Sequence, residues 1–150
     1  MNRLIVLVSL SALCCSGYGE YWVEDYVKGI DIPWGMTWLP GGDMLVTNRD
    51  RELYRVSDGK IVGTISGLPD VHVSGQGGLL DIELHPDYAN NGWLYLSYSS
   101  SEGEGSGSNT AIVRAKLQDN SLEDLETVYK AEPNSKKGQH YGSRLEFDNE

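Results

Sequence analysis

The sequence predicts an all-β protein made of four-stranded antiparallel sheets, each the size of one β-propeller blade. Its 150 residues include 18 Gly and 9 Tyr against a single Phe, a composition that favours strands joined by tight turns. Short alternating apolar runs recur between turn signals, and long amphipathic helical patterns are absent from the sequence. The pattern also repeats, since Pro40 recurs as Pro86 at a spacing of 46 residues (86 minus 40).

The first blade is predicted to follow an alternating entry strand at residues 20–27. Strong turn signals at Pro40–Asp43, Asp50–Arg51 and Ser57–Lys60 divide the chain that follows. Four short antiparallel strands in about 35 residues match the size of one propeller blade. The strands predicted for this blade cover residues 30–39, 44–48, 52–56 and 61–65.

The second blade is predicted to begin at Leu79. The run Asp87–Gly92 is interpreted as a hairpin, because it lacks the acidic residue that closes a calcium loop. Ser99–Ser108, rich in Ser, Gly and Glu, is predicted to be a flexible exposed loop. Residues 121–125 fit either one helical turn or a simple turn. The strands predicted for this blade cover residues 79–84, 93–98, 109–117 and 126–130.

A third unit is predicted to begin with a strand at Ser143–Asp148, just before the sequence ends at Glu150. A propeller closes with about 4–8 blades, and two blades plus one strand leave open edges and an uncovered apolar face. We therefore interpret residues 20–150 as the N-terminal portion of a longer propeller domain. The alternative is a compact all-β domain of about eight to ten strands that is complete as it stands.

The first 19 residues have the layout of a signal peptide. Asn2–Arg3 is a short basic start, Leu4–Leu13 is mostly apolar but too short for a membrane span, and Gly17–Gly19 supplies small residues for cleavage. Cleavage is predicted before Glu20, so the protein is expected to be secreted or periplasmic without a membrane span. A lipoprotein signal is the less favoured alternative, because the residue before Cys14 is not small.

Charge and cysteine content exclude several classes of function. The formal net charge is −10, and it becomes −11 after the predicted cleavage, because only Arg3 is removed (11 basic minus 22 acidic residues). Nucleic acid and anionic membranes are therefore not expected as partners. Both cysteines lie in the predicted signal, so the mature chain has no disulfide framework. The sequence also lacks a phosphate-binding glycine loop, a nucleophile elbow and a paired-histidine metal motif.

Two glycine-bracketed polar tips are the strongest candidates for a functional site. Gly75–Gly78 places Gln76 among three glycines and leads into an alternating strand, and Gly138–Gly142 places His140 in the same design. Gly has no Cβ, so such turns let the backbone approach another chain or a ligand closely. Strand-start loops of successive blades meet at one end of a propeller channel. Gln76 and His140 are therefore expected to face one site.

Each candidate also has a purely structural interpretation. His140 fits a general base for a hydroxyl proton, but an isolated histidine is more often a packed or exposed residue without a catalytic role. Gln76 fits either a ligand contact or a cap on its own turn. Arg144 fits pairing with a carboxylate or with an anionic cofactor. His85, at a strand end, fits a turn residue, and His72 fits an exposed loop.

The two tips and their neighbouring strands resemble one family. Gly75–Tyr88 and Asn91–Tyr98, with Pro33–Pro40 and His140–Asp148, are similar to the soluble glucose/sorbosone dehydrogenases that depend on pyrroloquinoline quinone, which include the aldose sugar dehydrogenases. The resemblance covers roughly residues 30–150. It implies a six-bladed β-propeller, of which this chain holds about the first two blades and the start of a third. It also implies quinone and Ca²⁺ at one end of the central channel.

The resemblance implies roles for three residues. His140 matches the catalytic histidine that takes the C1 hydroxyl proton of an aldose as hydride passes to the quinone. Gln76 matches a glutamine at the cofactor and substrate site. Gln139 stands where the glucose dehydrogenases carry a sugar-binding acid, which favours the broader aldose branch. The basic residues that hold the quinone and the calcium ligands are expected beyond residue 150, so the chain alone is expected to bind cofactor poorly and to be inactive.

Two other functions remain alternatives. A propeller sugar lactonase would need a metal held by carboxylates in the channel, and the sequence suggests no such cluster. A non-catalytic extracellular propeller that binds a protein or glycan through its loops is the alternative from a different class. The sequence does not specify the physiological sugar, the external electron acceptor or the oligomeric state.

Overall fold

A computed structural model describes residues 21–148 of the chain. The predicted signal peptide, residues 1–19, and its cleavage site lie outside the described residues. No helix in the described part of the chain is long and apolar enough to cross a membrane. The elements follow one another as β1 (Pro33–Trp38), β2 (Met44–Asn48), β3 (Glu52–Ser57), β4 (Lys60–Thr64), β5 (Leu79–Leu84), α1 (Tyr88–Asn91), β6 (Trp93–Ser100), β7 (Asn109–Gln118) and β8 (Ser121–Lys130).

The strands form two antiparallel sheets in chain order, blade 1 from β1 to β4 and blade 2 from β5 to β8. The prediction of an all-β propeller fold with four-stranded blades is confirmed. The predicted repeat is confirmed as well, because β1 and β5 hold the same place in their sheets. Met36 pairs with Val46 as Ile82 pairs with Leu96, and the inner-strand positions differ by 46 (82 minus 36).

A single apolar cluster joins the two blades. Leu45 and Leu53 of blade 1 and Ile82 and Leu96 of blade 2 are completely buried in it. Burying a side chain of this size stabilises the fold by roughly 1.5–3 kcal/mol. The blades therefore pack face to face, with β5 lying against β1 and β2.

A buried hydroxyl connects blade 1 to blade 2 at a bulge in β1. The Gly35 N–H donates a hydrogen bond to Thr47 Oγ1 at 2.8 Å, and the same hydroxyl donates to the Leu80 carbonyl of blade 2. Gly35 has no side chain to keep the blades apart, since a Cβ there would lie 2.6 Å from an Asp81 carboxylate oxygen. The Thr47 hydroxyl and the absence of a side chain at Gly35 therefore add a close polar contact to the apolar packing between the blades.

Blade 2 repeats this connection toward the third unit. The Asp81 N–H donates to Ser97 Oγ at 3.0 Å, and Ser97 Oγ donates to the Ser143 carbonyl at 2.8 Å. The Asp81 carboxylate in turn accepts the Leu145 N–H at 2.8 Å. Residues 143–148 therefore lie along β5, much as β5 lies along β1.

The entry segment differs from its prediction. Residues 21–30 form no strand, although the alternating pattern predicts one at 20–27. The side chains of Tyr21 and Val23 are almost fully exposed, and no strand among residues 21–148 pairs with the backbone of this segment. Side chains hold this segment instead, since Val27 and Ile30 pack on a smaller apolar cluster of blade 1. This second cluster consists of Met44, Val46 and Val56.

Three further predictions need correction. Ser143–Asp148 forms no strand, because no described residues after it provide a second strand with which to pair. Residues 121–125 belong to β8, since they pair with β7 across a tight turn and so continue the ladder. The loop predicted at Ser99–Ser108 begins two residues later, because its first two serines extend β6.

The hairpin predicted at Asp87–Gly92 is confirmed, because this run connects the antiparallel strands β5 and β6. The connection also contains the four-residue helix α1.

Candidate functional site

The structure brings the two glycine-bracketed tips together at one rim of the blades. Gln76 Oε1 accepts the backbone N–H of His140 at 3.0 Å, across 64 positions of sequence. The backbone N–H of Gln76 donates to the Gly138 carbonyl at 2.9 Å. Each tip therefore supplies one hydrogen-bond donor and one acceptor to the other, and Gln76 and His140 share one exposed rim.

The backbone of the second tip is unusual. His140 has a φ of +66°, and Gly138, Gly142 and Ser143 also have positive φ, at +63°, +66° and +127°. A non-glycine residue in the left-handed region costs about 1–2 kcal/mol. Such conformations persist only where the surroundings hold them, and they concentrate at functional sites. The bond from the His140 N–H to Gln76 is one contact that holds this conformation.

Three predicted site residues present free polar groups at this rim. His140, Gln139 and Gln76 are exposed. Among the described residues, no hydrogen bond engages the His140 imidazole, the Gln139 amide or Gln76 Nε2. The rim therefore offers a base, an amide donor and a second amide that can both donate and accept. The described residues contain no group of three or more His, Cys, Asp or Glu placed to hold a metal ion.

The glycines of the first tip serve the packing of the protein chain. A Cβ at Gly75 would overlap the carbonyl of Gly138, and a Cβ at Gly78 would overlap the carbonyl of Arg49. A Cβ at Gly77 would stand 2.6 Å from a serine hydroxyl of β6. Of the two uses that the sequence allows for these glycines, the structure shows close approach to neighbouring chain segments. The ligand contact is left to Gln76.

Tyr141 anchors the second tip to blade 2, and it is not among the site residues predicted from the sequence. Its ring is buried, its hydroxyl lies 2.7 Å from Ser108 Oγ, and its carbonyl accepts the Thr110 hydroxyl at 2.6 Å. Gly77 leaves room for the ring, since a Cβ there would lie 2.9 Å from Tyr141 Cζ. The available signal was an aromatic residue placed directly between His140 and a glycine.

An ion pair lies along β5 beyond the second tip. Arg144 Nη1 lies 3.5 Å from the buried Asp81 carboxylate, and Arg144 also pairs with Glu146. Of the two partners that the sequence allows for Arg144, the structure gives the carboxylate. The hydrogen bond to Glu146 and the charge of Asp81 raise the pKa of Arg144. Burial raises the pKa of nearby Glu83, and the charge of Arg144 opposes that rise.

Two grooves flank β1. One, of about 540 Å³, is lined by β1 together with Asp81, Ser143 and Arg144, and the Trp34 indole N–H crosses it to Ser143 Oγ at 3.1 Å. The other, of about 450 Å³, is mostly apolar and lies between β1 and residues 24–30. Neither groove is lined by Gln76, Gln139 or His140. In the described part of the chain, the tips therefore form an open rim.

The two other histidines have structural surroundings. His85 is a turn residue, as predicted, because its Nδ1 accepts the Asp87 N–H at 3.0 Å and its ring packs against Phe147. His72 is half-buried, whereas an exposed loop position is predicted. Its backbone N–H bonds to the Ser99 carbonyl at 2.8 Å, which fixes the connection to β6.

Comparisons of the sequence with known proteins identify one family. A family model described as Glucose / Sorbosone dehydrogenase matches residues 30–150. The aldose sugar dehydrogenase YliI of Escherichia coli (strain K12) is 37% identical over 149 residues, which cover 97% of this chain and 40% of that protein.

Two solved structures share the fold. The soluble aldose sugar dehydrogenase from Escherichia coli, in its apo form, has a TM-score of 0.77 at 38% identity, covering 83% of this chain and 37% of that one. The PQQ-bound form of an aldose sugar dehydrogenase from Streptomyces coelicolor has a TM-score of 0.67 at 32% identity. The match covers 81% of this chain and 36% of that one. The chain spans less than half the length of the relatives it matches.

Proposed function

Because the chain belongs to the glucose/sorbosone dehydrogenase family, we propose that the full-length protein oxidises the C1 hydroxyl of aldose sugars to lactones with pyrroloquinoline quinone. The contact between the two tips is the observation that carries this proposal, since Gln76 Oε1 holds the His140 N–H at 3.0 Å. It places an exposed imidazole beside an exposed amide donor. The solved structure of a PQQ-bound relative supports the choice of cofactor.

The residues at the rim fit the reacting end of a quinone. A quinone carbonyl accepts hydrogen bonds, and Gln76 has Nε2 to donate while its Oε1 is held by the His140 N–H. Gln76 and His140 are therefore the residues of this chain that would hold the group. Bound there, pyrroloquinoline quinone would supply the acceptor for the hydride that leaves C1 of the sugar. Cations for its carboxylates, and the ligands for Ca²⁺, are expected from beyond residue 150.

His140 carries the proton transfer in this proposal. An imidazole nitrogen takes the proton of the C1 hydroxyl as the C1–H bond breaks, and the C1–O bond becomes the lactone carbonyl. A positioned general base contributes about 10²–10⁴-fold to such a step. The left-handed backbone of His140, held by Gln76, fixes the direction from which the imidazole approaches.

Gln139 is proposed to contact the sugar. It is exposed and directly precedes His140, so its amide lies at the same rim. A neutral amide both donates to and accepts from sugar hydroxyls, without the charge of the acid found in the glucose dehydrogenases. This favours a broad range of aldoses over specificity for glucose.

The location and the remaining partners belong to the same proposal. The signal-peptide layout of residues 1–19 supports a secreted or periplasmic protein. The two electrons removed from the sugar would then pass to an external electron acceptor, with release of the protons to solvent, before the next turnover. Calcium is proposed as the accompanying metal ion.

A dye-reduction assay on the full-length protein tests the proposal. The protein is supplied with Ca²⁺ and pyrroloquinoline quinone, offered a panel of aldoses, and compared with His140→Ala. We expect quinone-dependent activity whose kcat falls about 10²–10⁴-fold in the variant, because the base is lost. His72→Ala is the control histidine and should retain near-normal activity. The 150-residue chain alone is expected to be inactive.

Each contrary outcome points to a different alternative. Activity that survives in His140→Ala would keep the dehydrogenase and remove His140 as its base. Absence of both activity and quinone binding would favour a non-catalytic extracellular propeller. Hydrolysis of sugar lactones without sugar oxidation would favour a propeller lactonase.

A further inference from the structure

We propose that Arg49 is a positioning residue, which clamps the first tip and through it sets the position of His140. Arg49 follows β2 in blade 1, 27 positions before Gln76 (76 minus 49). The kinetic part of this inference rests on the proposed function. Its conformational part rests on the structure alone.

Arg49 contacts the first tip at its start and its end, and it also contacts the first residue of β5, which follows the tip. Its guanidinium Nη1 donates to the Gly75 carbonyl at 3.2 Å. Its own carbonyl accepts the Leu79 N–H at 2.9 Å, where the tip turns into β5. Between these two bonds, Gly78 packs so closely on Arg49 that a Cβ would overlap the arginine carbonyl. The loop that carries Gln76 is therefore enclosed by one residue of blade 1.

The guanidinium itself is held in place. Arg49 Nε and Nη2 donate to the same Asp50 carboxylate oxygen at 3.2 and 3.1 Å, which directs Nη1 toward Gly75. The arginine side chain is only 25% exposed. A lysine at this position has one compact ammonium group and cannot reproduce both sets of bonds in this fork geometry. The contact is thus specific to arginine.

Two further hydrogen bonds carry the position of the first tip to the second. The Gln76 N–H donates to the Gly138 carbonyl at 2.9 Å, and Gln76 Oε1 accepts the His140 N–H at 3.0 Å. A shift of the Gln76 loop therefore moves an acceptor on which the left-handed His140 depends. Misplacing a catalytic group by about 1 Å can cost about 10²-fold in rate.

Arg55 provides a matched control in the same blade. It pairs with Asp43 at 2.7 Å and is 29% exposed, close to the exposure of Arg49. Like Arg49, it also bonds to a backbone carbonyl of another segment, that of Asp119 in blade 2, at 3.0 Å. None of its bonds involves either tip. Loss of Arg55 therefore removes an equivalent link between blades without touching the site.

The test compares Arg49→Ala, Arg49→Lys and Arg55→Ala in the full-length protein. Amide hydrogen exchange is followed in peptides covering residues 75–79 and 138–142, and kcat and KM are measured for an aldose. For both Arg49 variants we expect exchange in both tips to rise about tenfold or more and kcat to fall roughly 10–100-fold. Arg55→Ala should lower the thermal midpoint while leaving exchange at the tips and kcat unchanged.

A double variant tests whether Arg49 acts through Gln76. If it does, Arg49→Ala should lower kcat by a clearly smaller factor in the Gln76→Ala background than in the wild type, because the side-chain bond of the relay is already lost and only the Gln76 N–H bond remains. If the loss of kcat in the double variant equals the product of the losses in the two single variants, Arg49 does not act through Gln76. Unchanged exchange at both tips in Arg49→Ala would overturn the clamp. If the full-length protein oxidises no sugar, the proposed function fails, and the exchange comparison with Arg55→Ala still decides the clamp.

Discussion

The two tips share one sequence design and differ in structure. Gly75–Gly78 is packed tightly against neighbouring segments and continues into β5, which is paired along its length with β6. In Gly138–Gly142 neither end glycine is crowded, since a Cβ built at Gly138 meets its nearest atom at 3.8 Å and one built at Gly142 meets nothing within 4 Å. Its central histidine has a left-handed backbone, and no strand follows it among the described residues.

This difference shows how one tip determines the other. The first tip is fixed by packing, and it offers Gln76 Oε1 as a fixed acceptor. The second tip has a costly backbone at His140 and takes its position from that acceptor and from the buried Tyr141. Glycine serves close approach in the first tip and positive φ in the second. The catalytic candidate thus depends on packing within a different blade.

The largest expected effect separates the two uses of glycine. Gly78→Ala places a Cβ on the Arg49 carbonyl, and we expect a loss of about 3 kcal/mol in the free energy of unfolding. Gly142→Ala meets no atom, and its φ of +66° should cost only about 1 kcal/mol. Urea denaturation of the full-length protein measures both values.

A third glycine serves as the control for that measurement. Gly41 has free space around a built Cβ and is not among the residues of positive φ, so Gly41→Ala should be nearly neutral. Equal losses at Gly78 and Gly142 would contradict the distinction between packing and backbone conformation. If Gly78→Ala leaves the free energy of unfolding unchanged, the first tip can shift to accommodate the added Cβ.

A smaller effect is expected at the hydroxyls that join successive units. Thr47→Val keeps the side-chain shape but leaves the Gly35 N–H and the Leu80 carbonyl without their partner in a fully buried position, at a cost of about 1–3 kcal/mol. Ser97→Ala should cost less, because the Ser143 carbonyl it serves belongs to a half-buried residue that water can reach. Chemical denaturation compares the two variants.

The order of those two losses is the informative result. A larger loss for Ser97→Ala would mean that the segment after the second tip is bound as firmly as β5. A negligible loss for Thr47→Val would show that the hydroxyl bridge between the blades is dispensable.

Most of the fold was predictable from local sequence signals. Turn residues such as Pro40–Asp43 and Asp58–Gly59 fix where strands end, so β2 and β3 lie within one residue of their predictions. The local sequence pattern fails to predict the structure of segments for which pairing with a neighbouring strand decides whether a strand forms. The sequence of residues 20–27 alternates like a strand, but the described residues 21–27 have no strand to pair with in the described part of the chain. Residues 121–125 resemble a turn in sequence, and their pairing with β7 makes them part of β8.

The candidate site was predictable only in part. Glycine-bracketed polar residues identified Gln76 and His140, and the repeat of the blade predicted that they would meet. Arg49 could not be identified from local sequence signals, because its contacts arise from the approach of the β2–β3 turn to a loop in the next blade. Nor could it reveal that Gln76 uses its oxygen on a backbone amide. Contacts between distant segments are set by packing, which local patterns do not encode.

The smallest expected effect concerns Glu83 of β5, which faces the charges of the segment after the second tip. Burial raises the pKa of Glu83 above its ordinary 4.5, with Asp81 and Glu146 adding to the rise and Arg144 opposing it. The folded protein therefore binds this proton more tightly than the unfolded chain does. The resulting stability is present below about pH 4.5 and is lost as the pH rises through the folded pKa.

Glu83→Gln removes this loss, because the amide stays neutral at every pH. We expect the variant to exceed the wild type in stability by about 0.5 kcal/mol at pH 7 and to match it near pH 4. Thermal midpoints of the full-length protein between these pH values measure the difference, with the exposed Glu123→Gln as the control. A variant that is instead less stable than the wild type at pH 7, with the difference closing as the pH falls, would mean that Arg144 dominates and that Glu83 is stabilised as a carboxylate. The segment after the second tip would then hold β5 by charge.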